Sequence, residues 1–328
     1  MKGSRIKKYK LNEMYVDSLL SEKRNSIRIG FSPLTHKKCI KTENIIVKDA
    51  LGNDVKRINV GLDVAYIEEL KQLIIKSIEQ AAKDEVDILF FPELLCPPEI
   101  CSQNKGYNLF LYDVFEELRR QQIIGYPKII ALPSVWQHRN DGSGQGDNKL
   151  IICDGMGKLL GEQYKHNRFE DYHGRAVENI NTDDKSIFML STKAWGRIAF
   201  AICADVLYDY LNCLLQFKPS IIICPSFSRG SDAFCKVVVR AATEGCCIVW
   251  GNSFAAKEYS ITNTEKCDDG DYPICVAGMN ARYGRQNIKH IITAEQVKKY
   301  KDGESCLVEF NLPFTYVDKK DEVNWIEI

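Results

Sequence analysis

The sequence has no excess of charge of either sign, because its 328 residues include 44 basic and 44 acidic ones. A chain without a net positive field is a poor match for nucleic acid or an anionic membrane surface, and neither is expected as a partner. No apolar run approaches the roughly 20 residues that a membrane-spanning helix needs. Residues 1–10 are basic, but no apolar segment follows them, so they do not read as a secretory signal. These absences predict a cytoplasmic protein.

Histidine is also scarce, with five residues in the whole chain. No pair of cysteines or histidines has a second pair at the spacing that a zinc site requires. We therefore predict no metal and no cofactor. Cysteine itself is abundant, with 13 residues, and an odd number of cysteines without a secretory signal predicts reduced thiols instead of a disulfide framework.

Strand-like and helix-like segments alternate along most of the chain. Residues 86–91 form an apolar run typical of a buried strand, and helical periodicity covers about 63–83 before it and 111–124 after it. This order predicts parallel strands joined by helical crossovers. Residues 149–160 and 186–203 predict antiparallel hairpins. We predict an α/β fold in which two mixed β-sheets face each other with helices on both outer faces, a four-layer αββα sandwich.

Two segments interrupt this alternation. Residues 1–26 carry Leu11 and Met14 among charged residues, which predicts a short amphipathic helix in an N-terminal extension. Residues 36–60 are polar and rich in turn-forming residues, which predicts an inserted β-hairpin. Since no repeat or interdomain linker is visible, residues 27–328 are predicted to form a single domain.

Three reactive side chains stand at or just beyond the ends of strand-like runs. Glu93 ends the run DILFFPE, Lys165 lies in GEQYKH, and Cys203 follows IAFAI. Each alone has a simpler interpretation, as a solvated acid, a surface lysine and a buried core thiol. Brought together, they would form a site in which a carboxylate activates a thiol nucleophile and a cation stabilises developing negative charge.

The order and spacing of these residues resemble the nitrilase (carbon–nitrogen hydrolase) superfamily, whose catalytic triad runs Glu, Lys, Cys. The segments that carry the resemblance are FPEL at 91–94, the hairpin with its following lysine at 148–166, and AICAD at 201–205. One departure is Ala204, where the family has an aromatic residue. The strand end CPS at 224–226 and the helix RAATE at 240–244 are also similar to family elements. The resemblance covers about residues 27–285 and implies the αββα sandwich.

The resemblance implies a role for each reactive residue. Glu93 would act as the general base, Cys203 as the nucleophile, and Lys165 with the backbone N–H of Ala204 as the donors that stabilise an oxyanion. The family's nucleophile stands at a tight turn from a strand into a helix. The positive end of that helix is expected to favour the thiolate.

Many family members carry a second glutamate between the lysine and the cysteine, which orients the substrate and the lysine. Glu178 matches it best by position, and Glu170 is the competitor. The resemblance also implies a homodimer or larger assembly, formed in part by the helix after the cysteine.

The predicted reaction is hydrolysis of a non-peptide amide through a Cys203 thioester, with release of ammonia or an amine. A nitrile is the less favoured substrate. Family members that anchor a substrate carboxylate often have arginine shortly after the cysteine, whereas here Val206–Asp209 follows, so an acidic amide is disfavoured. Two other functions stay open: a catalytically altered nitrilase-like module that binds a small molecule or regulates a partner, and an amidase subunit that supplies ammonia to a partner.

Overall fold

The apolar runs of the sequence form strands and helices that build two facing sheets. A computed structural model describes residues 9–16, 26–34, 37–48, 51–97, 110–136, 145–170, 177–193, 195–228, 230–253, 256, 273–280, 287–293, 296, 308–313, 315–316 and 323–324. The helices are α1 (Ile67–Lys83), α2 (Phe110–Arg120), α3 (Asp209–Gln216) and α4 (Asp232–Thr243). Over these residues, the structure contains no helix with the length and apolar character needed to cross a membrane.

The strands span most of the chain. They are β1 (Lys10–Tyr15), β2 (Ser26–Phe31), β3 (Ile40–Lys48), β4 (Asp54–Leu62), β5 (Ile88–Phe90), β6 (Ile129–Pro133), β7 (Lys149–Cys153), β8 (Leu159–Tyr164), β9 (Val177–Glu178), β10 (Ser186–Thr192), β11 (Gly196–Phe200), β12 (Ile221–Ser226), β13 (Cys247–Asn252), β14 (Pro273–Asn280), β15 (Asn287–Thr293), β16 (Val308–Pro313), β17 (Thr315–Tyr316) and β18 (Val323–Asn324).

Two mixed sheets form the centre of the fold. One has seven strands in the order β1-β10-β11-β12-β13-β14-β15, and the other has six in the order β16-β2-β5-β6-β7-β8. The pairs β11–β12 and β12–β13 in the first sheet, and β2–β5 and β5–β6 in the second, are parallel. Each of these four connections contains one of the helices α1 to α4. The predicted helical crossovers are therefore confirmed.

The two sheets bury a shared apolar layer. On β6, Ile129 and Ala131 pack into the cluster that contains the seven-stranded sheet, whereas Ile130 and Leu132 pack with the helices on the other side. This alternation is the period of two that a strand imposes on its side chains. Because both faces of β6 are covered by apolar residues, the strand reads as a continuous apolar run in the sequence.

Contacts at small residues show how closely the layers approach. A Cβ added at Gly251 of β13 would lie 2.5 Å from the ring of Phe31 on β2, so the two sheets touch there. A Cβ added at Gly278 of β14 would lie 2.3 Å from the side chain of Val238 on α4. Helices thus cover the outer side of each sheet, and the predicted αββα sandwich is confirmed.

The helix predicted for residues 1–26 is wrong at residues 10–15. These residues form β1, which pairs in parallel with β10 at the edge of the seven-stranded sheet. The spacing of Leu11 and Met14 fits a helix, but only in the strand can Glu13 accept hydrogen bonds from Arg197 and Ser191. Residues 1–8 and 17–25 of the predicted helix lie outside the described residues.

A hairpin occupies the position predicted for 36–60, with its second strand continuing to Leu62. β3 and β4 pair along their whole length in antiparallel register. β4 then pairs in parallel with the two-residue strand β9, which completes a third sheet in the order β3-β4-β9. This small sheet lies beside the residues that form the candidate site.

Candidate active site

Glu93 follows β5 and is held by donors from three parts of the chain. Its Oε1 accepts hydrogen bonds from Asn148 Nδ2 and Lys165 Nζ, each at 2.7 Å. Its Oε2 accepts from the backbone N–H of Phe227 at 3.2 Å. The side chain is almost completely buried. A buried carboxylate with donors on both oxygens has one fixed orientation, which suits a group that must receive a proton at a defined point.

Lys165 lies directly after β8 and is fully buried. Its Nζ donates to Glu93 Oε1 and to Glu178 Oε1, both at 2.7 Å. The Nζ also lies 5.8 Å from the centre of the Trp136 ring. Burial alone disfavours the ammonium, but the Glu178 and Glu93 carboxylates outweigh it and hold the pKa of Lys165 well above its usual value. Lys165 is therefore a permanent cation inside the protein.

Glu178 on β9 is the second carboxylate on this ammonium. Its Oε2 accepts from the backbone N–H of Phe169 at 2.9 Å, while its Oε1 accepts from Lys165. Burial, together with the nearby charge of Glu93, raises the pKa of Glu178 despite the ammonium. Glu170, the other glutamate considered from the sequence, is exposed. The structure therefore brings Glu178 to Lys165, and Glu170 stays at the surface.

Cys203 stands at the turn after β11 and is buried. Its φ of 45° lies in the left-handed region, which is uncommon for a residue with a side chain and concentrates at functional sites. It opens a short 3-10 helix, Cys203–Leu207, whose first N–H groups, including that of Ala204, have no partner within the helix. An N–H in that position is available to an anionic oxygen formed next to the thiol.

The expectation that a helix would favour the Cys203 thiolate is wrong for the resting protein. Burial, reinforced by the charge of Glu93, raises the pKa of Cys203 to about 12, against the opposing effect of Lys165. The element after Cys203 is a 3-10 helix of five residues, too short to develop the dipole of a long α-helix. The thiol is therefore protonated at neutral pH and needs a base.

A further carboxylate, Asp205, connects the lysine segment to the nucleophile turn. Its Oδ1 accepts from the backbone N–H groups of His166 at 3.0 Å and Asn167 at 2.8 Å, and from Asn167 Nδ2 at 3.1 Å. Its Oδ2 accepts from the N–H of Ile202 at 3.4 Å. One buried side chain thus fixes the residues next to both the ammonium and the thiol.

Taken together, the site contains a protonated thiol, an oriented carboxylate and a buried ammonium. Electrostatic interactions link the Cys203 thiol to Glu93, Lys165 and Glu178. A base next to a thiol can generate the nucleophile during attack, and a fixed cation can stabilise the oxyanion that follows. This arrangement can therefore carry out acyl transfer through a thioester.

The raised pKa of Cys203 predicts how its reactivity depends on pH. With a pKa of about 12, the thiolate fraction rises steadily from neutral pH up to that value. An ordinary cysteine with a pKa of about 8.5 is almost fully ionised by about pH 10 and gains little beyond it. We expect the iodoacetamide alkylation rate of Cys203, followed on its peptide by mass spectrometry, to keep rising above pH 9. A plateau at about pH 10 or below would contradict this.

Solved structures of amidases share this fold. An amidase from Nesterenkonia sp. aligns with a TM-score of 0.52 at 16% identity, covering 88% of this chain and 92% of that one. A mutant of the amidase from Nesterenkonia sp. AN1, with the acetamide moiety of fluoroacetamide added covalently at its active-site cysteine, aligns with a TM-score of 0.53 at 15% identity and the same coverage. A mutant of that amidase in complex with butyramide has a TM-score of 0.51 at 15% identity, covering 88% and 91%.

Another of these structures is described as an amidase from the nitrilase superfamily, with a TM-score of 0.52 at 16% identity and 88% and 92% coverage. No protein-family model and no curated protein sequence matches the chain. At this level of identity the likeness establishes the fold, and the activity must be inferred from the site itself.

Proposed function

We propose that this chain, which has the fold of amidases of the nitrilase superfamily, is a carbon–nitrogen hydrolase that cleaves non-peptide amides through a Cys203 thioester. The observation that carries the proposal is the buried Lys165 ammonium, bonded at 2.7 Å to both Glu93 and Glu178 beside a thiol that is protonated at rest. A fixed cation enclosed by carboxylates beside a thiol is costly to bury, and such sites are common where catalysis requires them.

The reaction would proceed in two halves. Glu93 removes the thiol proton as the Cys203 sulfur attacks the amide carbonyl carbon, and the new oxyanion is stabilised by Lys165 and the N–H of Ala204. The C–N bond then breaks, the Glu93 proton passes to the nitrogen, and ammonia or an amine leaves. In the second half Glu93 deprotonates a water that attacks the thioester, and the proton returns to the thiol as the acid is released.

The charge of the site narrows the substrate class. Two carboxylates and one ammonium act electrostatically on the thiol, so a substrate that carries its own carboxylate would enter an environment with an excess of negative groups. The run Val206–Asp209, shortly after the nucleophile, contains no arginine that could offset such a charge. Neutral amides are therefore the preferred class, with nitriles second.

The test is intact-protein mass spectrometry after incubation with a panel of neutral amides and nitriles, combined with an ammonia assay. An amide substrate should add the mass of the amide minus that of ammonia, and peptide mapping should place the adduct on Cys203. Release of ammonia without any adduct is compatible with fast hydrolysis of the thioester. Absence of both ammonia and adduct across the panel would favour a binding module or an ammonia-supplying subunit that needs a partner.

We also infer that the protein assembles into a homodimer or a larger oligomer. Leu207 and Tyr208, just before α3, are 36% and 50% exposed, which is unusual for large side chains so near a buried site. An interface formed by this segment and α3 would cover them. Sedimentation velocity at micromolar concentration is expected to show a dimer or larger species, and a monomer under those conditions would contradict the inference.

A further inference from the structure

One carbonyl oxygen of the inserted hairpin accepts hydrogen bonds from two residues close to the Lys165 site, Trp136 and Asn179. The backbone oxygen of Ile58 on β4 accepts a hydrogen bond from Trp136 Nε1 at 2.9 Å. The same oxygen accepts from the backbone N–H of Asn179 at 3.0 Å, the residue directly after Glu178. The hairpin, which falls outside the catalytic motifs of the sequence, therefore reaches two groups that flank Lys165.

The backbone around Glu178 is held on one side by this hairpin. β9 has only two residues, and its sheet partner is β4, with Ile58 opposite Glu178. Asn179 Nδ2 adds a hydrogen bond to Asn59 Oδ1 at 2.8 Å. A strand this short has too few hydrogen bonds to hold its own conformation, so its place is set by the segments on its two sides. One is β4, and the other includes Phe169, whose backbone oxygen accepts from the Glu178 N–H at 3.2 Å, and Gly146, whose N–H donates to the Asn179 oxygen at 3.0 Å. β4 thus supplies one of the two sides that hold Glu178 against Lys165.

The base of the hairpin and its far end differ in burial. Near the base, Ile58, Val60 and Leu62 are buried in the apolar cluster under α1 and α2. Towards the far end, Ile46 and Leu51 are 75% and 86% exposed. Only substitutions near the base are therefore expected to shift residues of the site, and substitutions at the exposed far end provide controls.

The other catalytic groups have separate supports. Glu93 is held by Asn148 and by the N–H of Phe227, and the turn before Cys203 is held by Asp205. None of these bonds involves β3 or β4. A change at the base of the hairpin should therefore affect Glu178 while leaving the thiol and its base in place.

We propose that the β3–β4 hairpin is a positioning element that holds Glu178 against Lys165, and that its base sets the turnover rate of the enzyme. The proposal rests on the proposed amidase function for its kinetic part. Its structural part, the hold of β4 on residues 177–179, can be measured without any substrate.

The test uses Asn59→Ala in the full chain, because this substitution removes the side-chain acceptor for Asn179 and keeps the β3–β4 pairing. Hydrogen exchange of the peptide that covers residues 177–180 is expected to accelerate at least tenfold. The kcat for an amide substrate is expected to fall by about 10- to 100-fold, since a displacement of about 1 Å can cost about 10²-fold in rate. Iodoacetamide alkylation of Cys203 should stay within twofold of the wild-type rate.

A double-mutant cycle with Glu178→Gln shows whether the hairpin acts through this carboxylate. Asn59→Ala should have little further effect on kcat in the Glu178→Gln background, because the group that it positions is already altered. Trp136→Phe, which keeps an aromatic side chain but loses the indole N–H and its hydrogen bond to Ile58, provides a second test of the hairpin base. Leu51→Ser at the far end is the control and should leave exchange and kcat unchanged.

Three results would overturn the proposal: unchanged exchange at 177–180 in Asn59→Ala, faster exchange with normal kcat, or fully additive losses in the cycle. If the wild-type protein turns over no amide, the amidase function fails instead. The exchange measurement then still decides whether β4 holds β9.

Discussion

Replacing Cys203 by alanine is expected to abolish ammonia release from an amide while the fold stays intact. Loss of a catalytic nucleophile costs on the order of 10⁶-fold in kcat, because the groups that surround it cannot act on the substrate without it. The lost side chain is small, so the free energy of unfolding should fall by no more than about 1 kcal/mol. Steady-state kinetics and denaturant unfolding measure the two quantities. Cys153→Ala, which removes a buried thiol on β7, is the matched control and should keep full turnover.

A second substitution at the same position distinguishes the backbone strain at Cys203 from the catalytic role of its thiol. Cys203 has a φ of 45°, and a left-handed conformation costs a residue with a Cβ roughly 1–2 kcal/mol that glycine does not pay. Cys203→Gly should therefore be inactive like Cys203→Ala, yet more stable than it by about 1 kcal/mol, since the flexibility of glycine in the unfolded chain offsets part of the gain. A glycine variant clearly less stable than the alanine variant would show that the turn is not strained. Residual activity near the wild-type level in either variant would exclude Cys203 as the nucleophile.

Glu93→Gln is expected to lower the turnover of an amide substrate and to raise the alkylation rate of the Cys203 thiol at a given pH. Turnover should fall by about 10²–10⁴-fold, the usual contribution of a general base, because glutamine cannot accept the thiol proton. Direct alkylation of the thiol should instead begin at lower pH. The reason is that the Glu93 charge helps to raise the pKa of Cys203, whereas Lys165, which lowers it, remains. A substitution that merely loosened the site would not produce this divergence.

A matched control for this variant lies on β8 of the same sheet. Glu162 on β8 accepts a hydrogen bond from Lys149 Nζ at 2.7 Å, so it forms a carboxylate–ammonium pair outside the group that contains the thiol. Glu162→Gln should leave both turnover and the pH dependence of alkylation unchanged. If Glu93→Gln also left turnover unchanged, Glu93 could not be the base. If alkylation shifted to higher pH, the electrostatic effect assigned to Glu93 would be wrong.

Much of the fold could be predicted because its central strands are buried on both faces. β5 and β6 appear in the sequence as continuous apolar runs, which stop at Pro92 and Pro133. β1 was missed because its half-buried side chains also fit a helix, and the deciding factor is a distant edge that the local sequence does not show. The local apolar pattern is enough to predict a central strand from the sequence, but it is not enough to predict an edge strand.

The candidate site shows a similar division. Glu93, Lys165 and Cys203 were singled out because each follows a recognisable strand end. The choice between Glu178 and Glu170 could not be made from the sequence, since it depends on which residue lies opposite Ile58 of β4. The supports of Glu93 were also missed, although Asn148 begins the hairpin that leads to the lysine. A contact across 55 residues has no local signal.

The pairing of β1 with β10 also determines the order in which the protein can assemble. β1 is synthesised well before its partner, which spans Ser186–Thr192, so β1 has no sheet to join until that segment has left the ribosome. The antiparallel pair β10–β11 needs only a short loop closure and can form without it. Contacts between such distant segments form slowly, and an uncovered strand edge can pair with another chain. The docking of β1 thus covers the side of β10 that stays open to intermolecular pairing during synthesis.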